Sequence, residues 1–247
     1  MISGPELFSR YARPPNLLGY CGPGESAGIT AAAGGVELPV DEMRQVAEAF
    51  EGAWPYLELI GGLSSLDPLS APVVEAYWQG NRLLDQIDLH DWGNSVSDRF
   101  RRQAGKRWPA VLEALSSGGV PNHAFHVFCV YPWVGLLREG FVGPALQVLD
   151  RCRISTGTVV GSGEGIVVVR RTPLTWVDDT LVPGEPVEEP FLPSHEALRV
   201  GDTVSLHWDF VCRKLDRGEV MALDRVHDLH LEIANRELFR ARLEPSR

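Results

Sequence analysis

The chain has 247 residues, with 23 Lys and Arg against 33 Asp and Glu, a formal net charge of −10 and 44% apolar residues. That length and apolar content suffice to bury a core without staples and exclude a disordered or fibrous chain. The acidic balance, with Lys106 and Lys214 the sole lysines, argues against a nucleic-acid partner, and the longest apolar stretch, 124–137, is too short to span a bilayer and is interrupted by His126.

The pattern changes along the chain. In the first part, Val40, Met43, Ala47, Phe50, Leu57 and Ile60 recur at helical multiples, with Asp41 and Glu42 in the first turn, and Gly61-Gly62 are expected to stop that helix. Ser70 as N-cap and Pro72 in the first turn open a second helix through Val74, Tyr77, Trp78, Leu84 and Ile87. Further helices are expected over 91–103, 108–115 and 123–138. Residues 1–150 therefore read as a mostly helical domain.

Beyond Cys152 the runs become short and β-rich: 156–160, 165–170 and 200–211, separated by Gly, Pro and Asp. Gly161 to Gly165 read as a hairpin connection. Pro183, Pro186, Pro190 and Pro193 make 182–194 an excursion loop, because a central strand tolerates no such density of proline. Val226, Leu229 and Ile233 then mark a terminal helix over 218–239, expected to pack on the β unit. The fold class expected is α+β: a helical domain, 1–150, packed on a small β-barrel with a terminal helix, 151–247.

One set of residues in the second part carries a family likeness. Cys152-Arg153-Ile154-Ser155-Thr156-Gly157-Thr158-Val159, followed by the late Gly201-Asp202-Thr203-Val204-Ser205-Leu206-His207-Trp208-Asp209-Phe210 and by Leu215-Asp216, resembles the hydrogenase assembly chaperones of the HypC/HupF type. The match covers 151–235. It departs from the family in that some 150 residues precede Cys152, that Thr156 stands where the family has proline, and that the proline-rich stretch is longer. The resemblance implies a small barrel and an accessory role, not an enzymatic one, in nickel-iron hydrogenase maturation. Cys152 and His207 would hold or pass iron, or an iron-dicyano-carbonyl fragment, toward the hydrogenase large subunit and other maturation proteins. The donor types suit that chemistry: a thiolate is a strong soft ligand, imidazole binds iron, nickel and zinc, and two ligands alone leave a metal free to depart.

A second set is His123, His126 and Cys129. On a helix, steps of three place these side chains on one broad face, so a metal-dependent enzyme built there is the rival reading. Their neighbours Phe125, Val127, Phe128 and Val130 are apolar all round, as in a buried helix whose histidines are simply satisfied core residues. A third reading is a barrel used only as a protein-interaction module, with Cys152 structural. His227 and His230 are expected on a solvated helix face. Gly19-Tyr20-Cys21-Gly22-Pro23-Gly24 lacks the second cysteine of a redox turn and reads as a tight loop. Four cysteines, Cys21, Cys129, Cys152 and Cys212, match no CxxC spacing, and no secretory signal opens the chain, so a cytoplasmic protein with reduced thiols is expected, with neither nucleic acid nor membrane as partner.

Overall fold

The structure, a computed structural model, describes residues 2–24 and 27–243. Its first part is helical: α1 (Gly4–Leu17), α2 (Ala27–Ala33), α3 (Val40–Glu48), α4 (Trp54–Ser64), α5 (Ala71–Trp78), α6 (Leu89–Ala104), α7 (Trp108–Ser116), α8 (His123–Phe125), α9 (Trp133–Arg138) and α10 (Val142–Cys152). Strands follow: β1 (Ser155–Gly163), β2 (Ile166–Arg171), β3 (Leu174–Val177), β4 (Thr180–Pro183), β5 (Val187–Phe191), β6 (Thr203–His207) and β7 (Phe210–Lys214), and then α11 (Arg217–Leu243).

Several local expectations are corrected. The helix expected to run from Val40 to Ile60 is two helices broken at 49–53, and Gly61-Gly62 do not end α4, which continues to Ser64 and stops where Ser65 turns left-handed. The helix expected over 123–138 is also broken. After one α turn, His126–Val130 widens into a π turn, and Pro132 then restarts the chain as α9. A π turn inserts an extra residue per turn and rotates the side chains after it, so three-residue spacing no longer reports a shared face.

The β part is not a barrel. Antiparallel strands run in the order β5-β2-β1-β6-β7, with β3-β4 as a separate hairpin. The two edges touch through one bridge, Leu192 to Phe210, and go no further. Pro193 follows at once and has no N–H to continue a ladder, so the sheet curls without closing. The proline-rich stretch is likewise not all loop, since Val187–Phe191 forms β5 with Pro190 opposite Val168. Proline is tolerated there because β5 is an edge strand. The hairpin between β1 and β2 turns on Glu164 and Gly165 alone, both at positive φ, as a two-residue connection demands.

One core runs through both parts. Tyr11, Trp78, Phe125 and Cys152 belong to the same buried cluster as Trp208, Leu215 and Leu231, while Val159, Val169, Phe191, Val204 and Leu206 form a second, smaller core on the sheet. The terminal helix α11 packs chiefly on the π turn, α7, α8 and α9, and touches the strands mainly through β4 and β1. It is thus a member of the helical layer and not the cover of a barrel. His230 is fully buried and His227 nearly so, not solvated as the helical pattern alone suggested.

A charged hub ties the layers together. Asp150, near the end of α10, accepts from Arg171 of β2 at 3.1 and 2.8 Å, from Arg153 at 3.2 Å and from the Leu174 N–H at 2.8 Å. Burial alone would push this carboxyl up, but the Arg171 and Arg153 contacts outweigh it and hold the group below the usual carboxylate range. This carboxylate is one of the ties that fix the end of α10, where Cys152 sits two residues later, to the sheet.

Candidate metal centre

His123, Cys152 and His207 come together in the interior, their ligand atoms all within 4.8 Å of one another. They arrive on three separate elements, and each is placed by a backbone group that its own neighbourhood leaves unpaired.

His207 closes β6. Its Nδ1–H donates to the backbone carbonyl of Tyr11 in α1 at 2.7 Å. That carbonyl is available because Pro15 stands four residues later, inside the helix, and has no N–H to return. Since a carbonyl can only accept, Nδ1 carries the proton and Nε2 presents its lone pair. The ring is fully buried and this Nε2 makes no hydrogen bond among the described residues, although the Cys152 backbone also faces the ring.

Cys152 ends α10, where the last carbonyls of a helix lack intrahelical partners. The Arg151 carbonyl accepts the Trp208 N–H at 2.7 Å, and the Cys152 carbonyl lies 2.8 Å from His123 Nε2. Its sulfur lies 4.0 Å from the same nitrogen. Burial, and secondarily the Cys21 thiol, push the Cys152 thiol up to about 12, so without a cation it is neutral.

His123 opens α8 behind Asn122. That asparagine caps the helix by accepting from the Ala124 N–H and clamps it to α5 by donating to the carbonyls of Ala76 and Tyr77. His123 Nδ1 meets the Tyr77 hydroxyl at 3.2 Å, and that hydroxyl reaches the Gly52 carbonyl at 3.0 Å. One tautomer satisfies both contacts, the one in which Nε2 carries the proton and Nδ1 accepts from the Tyr77 hydroxyl. With the proton on Nε2, the ring donates to Cys152. With it on Nδ1, Nε2 would face the Cys152 carbonyl oxygen at 2.8 Å as acceptor to acceptor, so ligation through Nε2 requires that carbonyl to turn away.

All these imidazoles are neutral, the state a metal requires. Burial brings His123 down to about 4, with the Cys152 carbonyl opposing it. His207 is driven well below its ordinary range by burial and then by His123. Tetrahedral zinc with nitrogen at about 2.0 Å and sulfur at about 2.3 Å spaces its donors roughly 3.3 to 3.7 Å apart. To reach that geometry the donors must draw in from separations of up to 4.8 Å and the Cys152 carbonyl must leave His123 Nε2.

His123 and Cys152 also face a cavity of about 160 Å³ whose other walls include Cys21, His126, Tyr131, Trp133 and Trp208. Trp208 takes a positive φ of 54°, a costly conformation for a bulky side chain. It is held there by its bond to Arg151 and by a 4.5 Å stack on Tyr20.

The two sequence-derived sets thus merge in part. Cys152 and His207 meet His123 from the other set. His126 shares the cavity but meets Tyr56 through Nδ1 at 3.1 Å, and Cys129 belongs neither to the cluster nor to the cavity wall. Tyr11, Tyr77 and Trp208 are additions that sequence reasoning did not select, and Cys21, read there only as part of a tight loop, joins the cavity wall; the pair Pro14-Pro15 within an amphipathic helix was the visible sign that two carbonyls there need outside donors. One further group, Asp88, His90 and Asp91, is exposed and is explained by Asp88 capping α6.

Fold and site together define an α+β protein with a buried His-Cys-His cluster beneath an aromatic-walled cavity. The chain belongs to the family of unknown function DUF6390, whose model matches residues 1–241. No hydrogenase-chaperone family is found. That match runs through helices and sheets alike, which corrects the resemblance of 151–235 to a free-standing chaperone barrel. No curated protein and no solved structure matches the chain. Among the described residues no helix is long and apolar enough to cross a membrane.

Proposed function

We propose that this protein is an accessory protein that holds one thiophilic divalent metal ion, of the zinc or iron(II) class, through His123, Cys152 and His207. The observation that carries this reading is His207 Nε2: a lone pair buried without a donor costs about 1 to 3 kcal/mol, and it stands beside a thiol and a second imidazole. A cation relieves that cost and converts the thiol to a thiolate. The donor set contains one soft and two borderline ligands and no carboxylate, which favours zinc or iron over magnesium or calcium. Three protein ligands leave a coordination position toward the cavity, which suits an ion that must be exchanged or handed on.

Nothing in the geometry singles out an iron-dicyano-carbonyl fragment as cargo or a hydrogenase large subunit as recipient. The test is metal content and zinc affinity of the purified protein beside Cys152→Ser and His207→Ala. Stoichiometric binding by the parent, lost by more than the about 100-fold typical of removing a mere supporting contact, supports the reading. Equal zinc affinity in parent and Cys152→Ser overturns it.

A further inference from the structure

Cys21 is the unabsorbed chemical group of the site. It lies in the loop between α1 and α2 and lines the same cavity as His123 and Cys152. It is half-buried, whereas Cys129, Cys152 and Cys212 are buried. Its loop is strapped in place: Asn16 Nδ2 donates to the carbonyls of Cys21 at 3.1 Å and Pro23 at 2.6 Å. Gly22 sits at positive φ against the Phe50 ring, with no room for a Cβ. Tyr20, on the other side, stacks on Trp208. The sequence thus fixes the backbone of one cysteine at the mouth of the cavity.

Two backbone donors face its sulfur. The N–H groups of Gly52 and Gly22 face it and favour the charged form, although burial, the larger effect, raises the thiol to about 11. The Cys21 sulfur is near enough to Cys152 to disfavour ionisation of the Cys152 thiol.

We infer that Cys21 is a fourth, reserve ligand of the His123, Cys152 and His207 site, closing it into a two-sulfur, two-nitrogen tetrahedron when a zinc-class ion is bound. This rests on the metal-holding reading above. Cys21 stands outside the 4.8 Å cluster, and a change of its χ1 rotamer carries a cysteine sulfur by ~3 Å without moving the strapped backbone. On closure, the Cys21 thiol loses its proton to solvent and its sulfur binds the metal in place of the water that otherwise fills the position facing the cavity, which leaves to solvent. With Cys21 turned away the ion is exchangeable, and with Cys21 bound it is retained.

Cobalt(II), which reports thiolate ligands through near-ultraviolet sulfur-to-metal absorption, is the probe. The parent is expected to bind one cobalt ion, and Cys21→Ser to bind it with about half the sulfur-to-cobalt absorption per ion and at least ~10-fold more weakly. Zinc should also slow alkylation of the half-buried Cys21 thiol by iodoacetamide. Cobalt binding with the same absorption in Cys21→Ser, together with unslowed alkylation under saturating zinc, overturns the inference and leaves the three-ligand reading standing. A parent that binds no cobalt and no zinc overturns both.

Discussion

The imidazole of His207 and the backbone of Tyr11 meet at 2.7 Å across 196 positions of sequence, and the meeting depends on a third residue, Pro15, that touches neither bond. By withholding its N–H, Pro15 leaves the Tyr11 carbonyl unpaired, and the carbonyl in turn decides which nitrogen of His207 keeps a lone pair. Replacing Pro15 with alanine returns an intrahelical donor to compete for that carbonyl. Zinc affinity is expected to fall ~10-fold, the order of a lost supporting contact, while the midpoint of thermal unfolding of the metal-free protein does not drop. Unchanged zinc affinity in Pro15→Ala would show that Tyr11 does not orient the ligand.

Asp150 is expected to dominate the stability of the helix-to-sheet junction. It is the shared acceptor of two mostly buried guanidinium groups and one backbone N–H. Asp150→Asn keeps the shape but removes the charge, leaving Arg153 and Arg171 under-compensated, and the loss should be about 3 to 5 kcal/mol. Urea unfolding of the two proteins measures it. A difference below about 1 kcal/mol would mean that Glu189, which also meets Arg171 at 2.8 Å, suffices alone.

His230 sets an acid limit. Its Nδ1–H donates to the Val226 carbonyl at 2.6 Å and its Nε2 accepts the Val120 N–H at 3.2 Å, so the neutral ring is fully satisfied. Burial lowers it to about 4, with neighbouring His227 adding to the effect and the Val226 carbonyl opposing it. The folded value lies below the unfolded one of about 6.5, so the unfolded chain binds the extra proton between them. Stability is therefore full above pH 6.5 and declines as pH falls toward 4, by up to about 3 kcal/mol from this residue. His230→Gln should be less stable at pH 7 and show a shallower decline from 6.5 to 4. An equally steep decline in the variant would assign the acid sensitivity elsewhere.

The helical first part and the β-rich second part were legible because apolar spacing switches period near Cys152, where α10 ends and β1 begins three residues later. Closure of the sheet was not legible, since whether two edges pair depends on where Pro190 and Pro193 fall relative to partners distant in sequence. The same prolines hid β5, because proline argues against a strand until the strand is known to be an edge. For the site, Cys152, His207 and His123 each stood out by residue type and surroundings, but in two separate sets. Their convergence is tertiary: no spacing rule connects a helix start, a helix end and a strand end. The π turn at His126–Val130 further defeated the three-residue spacing that made His126 and Cys129 look like partners of His123.

X-ray absorption at the zinc edge of the zinc-loaded protein addresses the metal-holding account most directly. Two imidazole nitrogens at about 2.0 to 2.1 Å with one sulfur, or two if Cys21 has closed, at about 2.3 Å are expected, and the sulfur signal should diminish in Cys152→Ser. A first shell of oxygen and nitrogen without sulfur, or a zinc content far below one ion per chain, would contradict it.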